Sequence, residues 1–228
     1  MEISIHQPNY IPWSGYFYKI IHSDVFVLLD DVQFIKNSYI DRNSIKTPQG
    51  TQYLKIPTVR DNHLLNCDEI KINNHIRWRE KHLIALELNY KKAEYFSIVF
   101  DDIQELINEE TELLVELNTN IIFRLLSRME VSTSIKRSSD LHIQETGTER
   151  LVSIVKAFGG DTYLSGKGGL HYQDPIIFQT HNVNLAYTNF IHPVYKQLWG
   201  DFIPNLSILD MIFNLGYDHS QHILKKCH

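Results

Sequence analysis

Ile3-Ser4-Ile5-His6-Gln7-Pro8-Asn9-Tyr10-Ile11-Pro12-Trp13-Ser14-Gly15-Tyr16-Phe17, followed a few residues later by Asp24-Val25-Phe26-Val27-Leu28-Leu29, decides the fold. Ile3 to His6 is a short apolar strand. It runs into Pro8 and Pro12, which forbid both a continued ladder and a helix, so a rigid loop is expected at the strand's carboxyl end. Ser14 is placed to cap a helix over Gly15 to His22, with Tyr16, Phe17 and Ile20 at helical spacing. Val25 to Leu29 is a continuous β-branched and apolar run, the pattern of a strand covered on both faces in a parallel sheet. Strand, loop, helix and strand in succession predict a right-handed crossover. The fold class is therefore α/β, with a mainly parallel, Rossmann-like sheet and flanking helices.

Working outward, the chain turns polar and aromatic after Asp30-Asp31, then offers two further strands, Gln52 to Ile56 and Glu69 to Ile72. From Arg77 the pattern becomes helical, with Leu113, Leu114, Leu117, Ile121 and Leu125 on one stripe, which predicts a mainly helical insertion at about residues 77–133. Beyond it come a helix at Thr148 to Phe158 stopped by Gly159-Gly160, a strand at Thr162 to Leu164, and a helix near Pro175 to Thr180. A strand at Asn184 to Phe190 and a helix at Leu206 to Leu215, capped by Asn205 or Ser207, close the series. No spacer interrupts it, so residues 1–228 are expected to form a single domain.

Composition narrows the function. With 228 residues, 43% hydrophobic and 21% charged, the chain is long and apolar enough to bury a sizeable core. No apolar run reaches the roughly 18 residues of a membrane span, and the start lacks a secretory pattern, so no membrane insertion and a cytoplasmic location are expected. A net charge of -5 with basic residues only in isolated pairs offers duplex DNA no footprint. Cys67 and Cys227 form no C-x-x-C pair, and the histidines lack metal-site spacing, so no zinc centre is expected. No G-x-S-x-G elbow is present.

Ligands of open parallel sheets bind where loops leave the carboxyl ends of the strands. That rule collects His6-Gln7, Asp30-Asp31, Ser165 to Gly169 and His192 to Gln197. His6 suits a general base, against the plainer reading that it only steadies the proline loop. Gln7, Asn9, Tyr10 and Trp13 add amide, hydroxyl and aromatic surface for a sugar or base ring. Asp30-Asp31 suits a divalent cation or a substrate hydroxyl, or else caps the next turn or pairs with Arg42. Arg42-Asn43 is a fork for carboxylate or phosphate, though an Arg is also the commonest surface ion-pair partner. Ser165-Gly166-Lys167-Gly168-Gly169 predicts an anion-binding nest or a plain glycine-rich turn, and lacks the register of a Walker loop.

His6 to Phe17, Asp24 to Val27 with Asp30, Arg42-Asn43, Ile56-Pro57, Tyr163 to Gly166 and Leu206 to Asp210 together resemble the WbqC-like protein family. The resemblance spans nearly the whole chain. It implies a role in O-antigen and other surface polysaccharides: transfer of an acyl or aminoacyl (glycyl) group to the amine of a nucleotide-linked amino sugar. It singles out His6, Gln7, Tyr10, Trp13, Asp30, Arg42, Asn43, Ser165, Gly166, Tyr195, Gln197 and Asp210. Of the candidates, His6, Asp30 and Ser165 are expected to carry the chemistry. Gln7, Tyr10, Trp13, Arg42, Asn43, Gly166, Lys167, Tyr195, Gln197 and Asp210 are expected to bind substrate. An acyl or aminoacyl donor or carrier is the further partner, and no cofactor is identified. The layout is also similar to nucleotidyltransferases with a HIGH-type motif, but Tyr16 stands where the second His would fall. A non-catalytic module that binds sugar or a partner is the third reading.

Overall fold

A strand whose two faces both meet apolar neighbours has to sit inside a sheet, and the opening stretch does so. In this computed structural model, which describes residues 1–59 and 65–227, β1 (Glu2–His6), α1 (Ser14–Ile21) and β2 (Val25–Leu28) follow one another as the sequence predicts. A hairpin comes next, β3 (Arg42–Thr47) and β4 (Gly50–Lys55), paired antiparallel. The helical stretch is α2 (Trp78–Tyr90), α3 (Phe96–Asn108) and α4 (Leu114–Arg128). β5 (Ser134–Arg137), α5 (Gly147–Ala157), β6 (Thr162–Ser165), α6 (Pro175–Thr180), β7 (Asn184–Tyr187), α7 (Ile208–Leu215) and α8 (Tyr217–Lys226) complete the chain.

Five strands form one parallel sheet in the order β5-β2-β1-β6-β7. Numbered by themselves they read 3-2-1-4-5, a doubly wound order that reverses between β1 and β6. Ile3 pairs with Val25 on one side and Tyr163 on the other. Alternation sends Ile3, Ile5 and Val27 to one face, against Val152 and Val155 of α5 and Phe178 of α6. Phe26 and Leu28 go to the other, into a cluster with α1, α4 and α7 that also takes in the hairpin's Ile45 and Leu54. The helices of the predicted insertion are thus packed into the same core as α1. Each such side chain, fully covered, contributes about 1.5–3 kcal/mol.

Three local expectations are corrected, and β3 and β5 are strands that the sequence did not suggest. Glu69 to Ile72 is no strand: a tight turn at Cys67–Glu69 is followed by single bridges, because Ile70 and Ile72 hydrogen-bond to the segment before α4 while Thr58 takes the other side. β5 went unread because it is polar, and it can be so because it sits at the sheet edge. The strand expected at Asn184 to Phe190 ends at Tyr187. Ser14 does not cap α1; Trp13 stands at that position and the Ser14 hydroxyl reaches His192 Nε2 at 3.1 Å. Ser207 does cap α7, accepting from the Leu209 amide at 3.2 Å. His228 lies outside the described residues. Among the described residues no helix is long and apolar enough to cross a membrane, and no cluster of three or more His, Cys, Asp or Glu could hold a metal ion.

Candidate functional site

The strand order sets two predicted groups at the ends of adjacent strands but on opposite faces of the sheet: His6 pairs with Leu28 and packs on Tyr16 on the α1 face, whereas Ser165 follows Tyr163 on the α5 and α6 face. β1 ends at His6 and its neighbour β6 ends at Ser165, and the loops leaving them diverge where the winding reverses. His6 Nδ1 lies 3.1 Å from the Gln7 carbonyl, which can only accept, so the proton sits on Nδ1. Nε2 is left as a bare acceptor, with no protein hydrogen bond among the described residues. The ring stands edge-on to Tyr16 at 4.9 Å, and the Tyr16 hydroxyl donates to the same Gln7 carbonyl at 3.2 Å. Part of the His6 surface is accessible, but protein atoms ring the imidazole densely. That burial, with the Lys19 charge nearby, pushes its pKa down to about 3.

Lys19 is a residue the sequence reading passed over. It is buried, donates to the Ile5 carbonyl at 2.9 Å, and burial pulls its ammonium down to about 7. Its signal was available: it is a lone cation inside the apolar run Tyr16 to Ile21.

At the end of β6, Ser165 accepts from Gln173 Nε2 at 2.9 Å and donates to the Gly166 carbonyl at 3.1 Å. Gly169 makes that approach possible, since a Cβ there would lie 2.4 Å from Ser165 Oγ and 2.5 Å from Gln173 Nε2. Gln173 is itself buried, and its Oε1 has no hydrogen-bond partner. The nest does not form. None of Gly166, Gly168 and Gly169 has a positive φ, so the alternation a nest needs is missing and Lys167–His171 is a tight helical turn. Lys167 itself is exposed.

Other candidates lie elsewhere. Asp30 is fully buried and accepts from the Ser139 amide at 3.0 Å, Ser139 Oγ at 2.9 Å and Ser138 Oγ at 3.2 Å. Asp31 accepts from Ser138 Oγ and pairs with Arg150 of α5. Both carboxylates thus fasten β2 to the turn after β5, and neither meets Arg42, which covers the Tyr53 ring at 4.5 Å. Asn43 is buried and clamps the opening loop, donating to the Ile11 carbonyl at 2.7 Å where Ile11 holds a positive φ of 40°. Tyr10 is fully buried, with its hydroxyl donating to His82 Nδ1 at 2.9 Å while His82 Nε2 donates to the Lys55 carbonyl at 3.1 Å. Burial pushes His82 down to about 4. Trp13 is half-buried and meets Phe190 edge-on at 5.4 Å.

Tyr195, Gln197 and Asp210 come together with one another rather than with His6. The fully buried Asp210 carboxylate accepts from Tyr195 at 2.8 Å and Tyr90 at 2.9 Å, and burial raises its pKa. Gln197 Oε1 accepts from Lys46 Nζ at 2.9 Å and from the Ile203 amide at 2.8 Å. Among the described residues no hydrogen bond joins this network to His6 or Ser165. A separate groove of about 580 Å³ lies between β4 and the start of α2, and no sequence-predicted site residue lines it.

A doubly wound parallel sheet, with polar loops at the reversal of its winding, makes this an α/β protein of Rossmann-like layout. The chain belongs to the WbqC-like protein family, which matches residues 7–222. It is similar to the uncharacterized protein Rv1507c of Mycobacterium tuberculosis, 33% identical over 225 residues that cover 97% of each chain. No solved structure matches the chain.

Proposed function

We propose that this protein modifies a sugar of surface polysaccharide, transferring an acyl or aminoacyl group to the amine of a nucleotide-linked amino sugar at the rim between β1 and β6. The observation that carries the reading is the neutral His6 imidazole at the carboxyl end of the central strand β1, with Nδ1 tied to the Gln7 carbonyl and Nε2 without a hydrogen-bond partner among the described residues. A conjugate acid near 3 is too strong for His6 to take a proton from an ammonium at neutral pH. Its work is instead to accept an N–H from the amine already in its neutral form and aim the nitrogen lone pair at the acyl carbon. The C–N bond forms as the bond to the leaving group breaks. The leaving group takes those electrons, and the surplus amine proton passes to it or to water.

Among the described residues Ser165 bonds the Gln173 amide and the Gly166 carbonyl and no general base, so it serves as a hydrogen-bonding contact and not as the nucleophile. Incubation with amino-sugar nucleotides and activated acyl donors, followed by mass spectrometry, tests the reading. His6→Ala is expected to lower the rate by about 10²-fold, and the wild-type rate to follow the neutral fraction of the sugar amine. A product formed equally well by His6→Ala rejects the assignment of His6. Absence of any acylated product across the panel rejects the transfer.

A further inference from the structure

The groove between β4 and α2 has a character that the rim reading leaves unused. Its volume of about 580 Å³ falls in the range of small-molecule sites. Lys36, Lys55 and Lys81 line it, and no carboxylate stands among the described residues that do, on a chain whose net charge is -5. Lys36 and Lys81 are exposed and have no ion-pair partner among the described residues, while Lys55 donates to Asn37 Oδ1. His82, held neutral, and the buried Trp78 lie at its floor. Tyr53 stands at its wall, 57% exposed, with one face of the ring covered by Arg42.

Each feature narrows the occupant. A single carboxylate would answer one ammonium, whereas three ammonium groups around one cavity match a dianion or trianion, and lysine binds phosphate as a point charge. The Tyr53 ring, already backed by a guanidinium, offers an aromatic platform on which a flat ring can stack. We propose that the groove binds a phosphate ester carrying a flat ring, of the nucleoside-phosphate class. The inference does not rest on the reading of His6 and Ser165, since neither lines the groove.

Isothermal titration of the full chain with uridine 5′-diphosphate, adenosine 5′-diphosphate, pyrophosphate and uridine tests it. Both nucleoside diphosphates are expected to bind and uridine is not. Lys36→Glu with Lys81→Glu should weaken binding about tenfold or more. Lys225→Glu with Lys226→Glu on α8, which shifts net charge equally, should leave it unchanged. Tyr53→Ala should weaken the nucleoside diphosphates and spare pyrophosphate. All four altered lysines are exposed, so circular dichroism melts of the variants should match wild type. Three outcomes each overturn the proposal: no heat from either nucleoside diphosphate up to about 5 mM, equal weakening by the two lysine pairs, or pyrophosphate binding as tightly as the nucleotides.

Discussion

The sheet rim at His6 and Ser165 and the buried network at Asp210 are built from similar polar groups and leave them in opposite states. Around Asp210 the hydrogen-bonding valences are filled: two tyrosine hydroxyls point at one carboxylate, and one glutamine binds both a lysine and the backbone of Ile203. At the rim, among the described residues, His6 Nε2 and Gln173 Oε1 have no protein partner, and Lys167 is exposed. A polar cluster that satisfies itself holds elements together, whereas one with spare acceptors and donors has something to offer a ligand. Here the network ties β3, α2, α7 and the loop after β7, four parts of the chain that no local pattern links.

Removing the carboxylate is the hardest test of that contrast. Asp210→Ala takes the carboxylate acceptor from the buried Tyr90 and half-buried Tyr195 hydroxyls and removes an anion that faces Lys46, and is expected to cost about 3–5 kcal/mol in urea denaturation. A loss below about 1 kcal/mol would show that the network holds nothing together.

Acid sharpens the comparison, because burial depresses three histidines, His192 among them, and two of them strongly: His6 at the rim and His82 at the floor of the groove. Both have folded pKa values below the unfolded value of about 6.5, so the unfolded chain binds protons first as pH falls and stability drops through this window. Lowering pH from 7 to 5 is expected to remove about 2 kcal/mol for each of them. His82→Gln should flatten part of that slope. A pH-independent midpoint between 7 and 5 would contradict the burial of both rings. Smallest of all is Lys167→Ala, where stability should stay within about 0.5 kcal/mol while the affinity for an anionic sugar nucleotide falls. A stability loss as large as that of Asp210→Ala would erase the distinction between the two regions.

Legibility followed burial. β2 was readable because a central strand needs an unbroken apolar run, and the strand-end rule named the loops after β1 and β6, which prove to leave neighbouring strands; that His6 and Ser165 point to opposite faces of the sheet no local pattern could tell. β5, Ser-Ile-Lys-Arg, has one apolar residue in four, which is enough for an edge and too little for a pattern. α8 hid for a similar reason, since Ser220 stands between Tyr217 and Leu224 on its buried face. The network was legible only as separate residues. Whether an Asp meets solvent or two tyrosines is decided by partners far along the chain, such as the 120 residues between Tyr90 and Asp210.

The position of β1 has a kinetic consequence. It lies at the middle of the sheet, and Ser4 hydrogen-bonds to Leu164 across 160 residues of sequence. During synthesis its first neighbour emerges at once, but its second waits until most of the polypeptide has left the ribosome. Ile3 and Ile5 stay half-covered meanwhile, an open apolar edge that invites chaperones and makes closure of this sheet a slow, late event in folding.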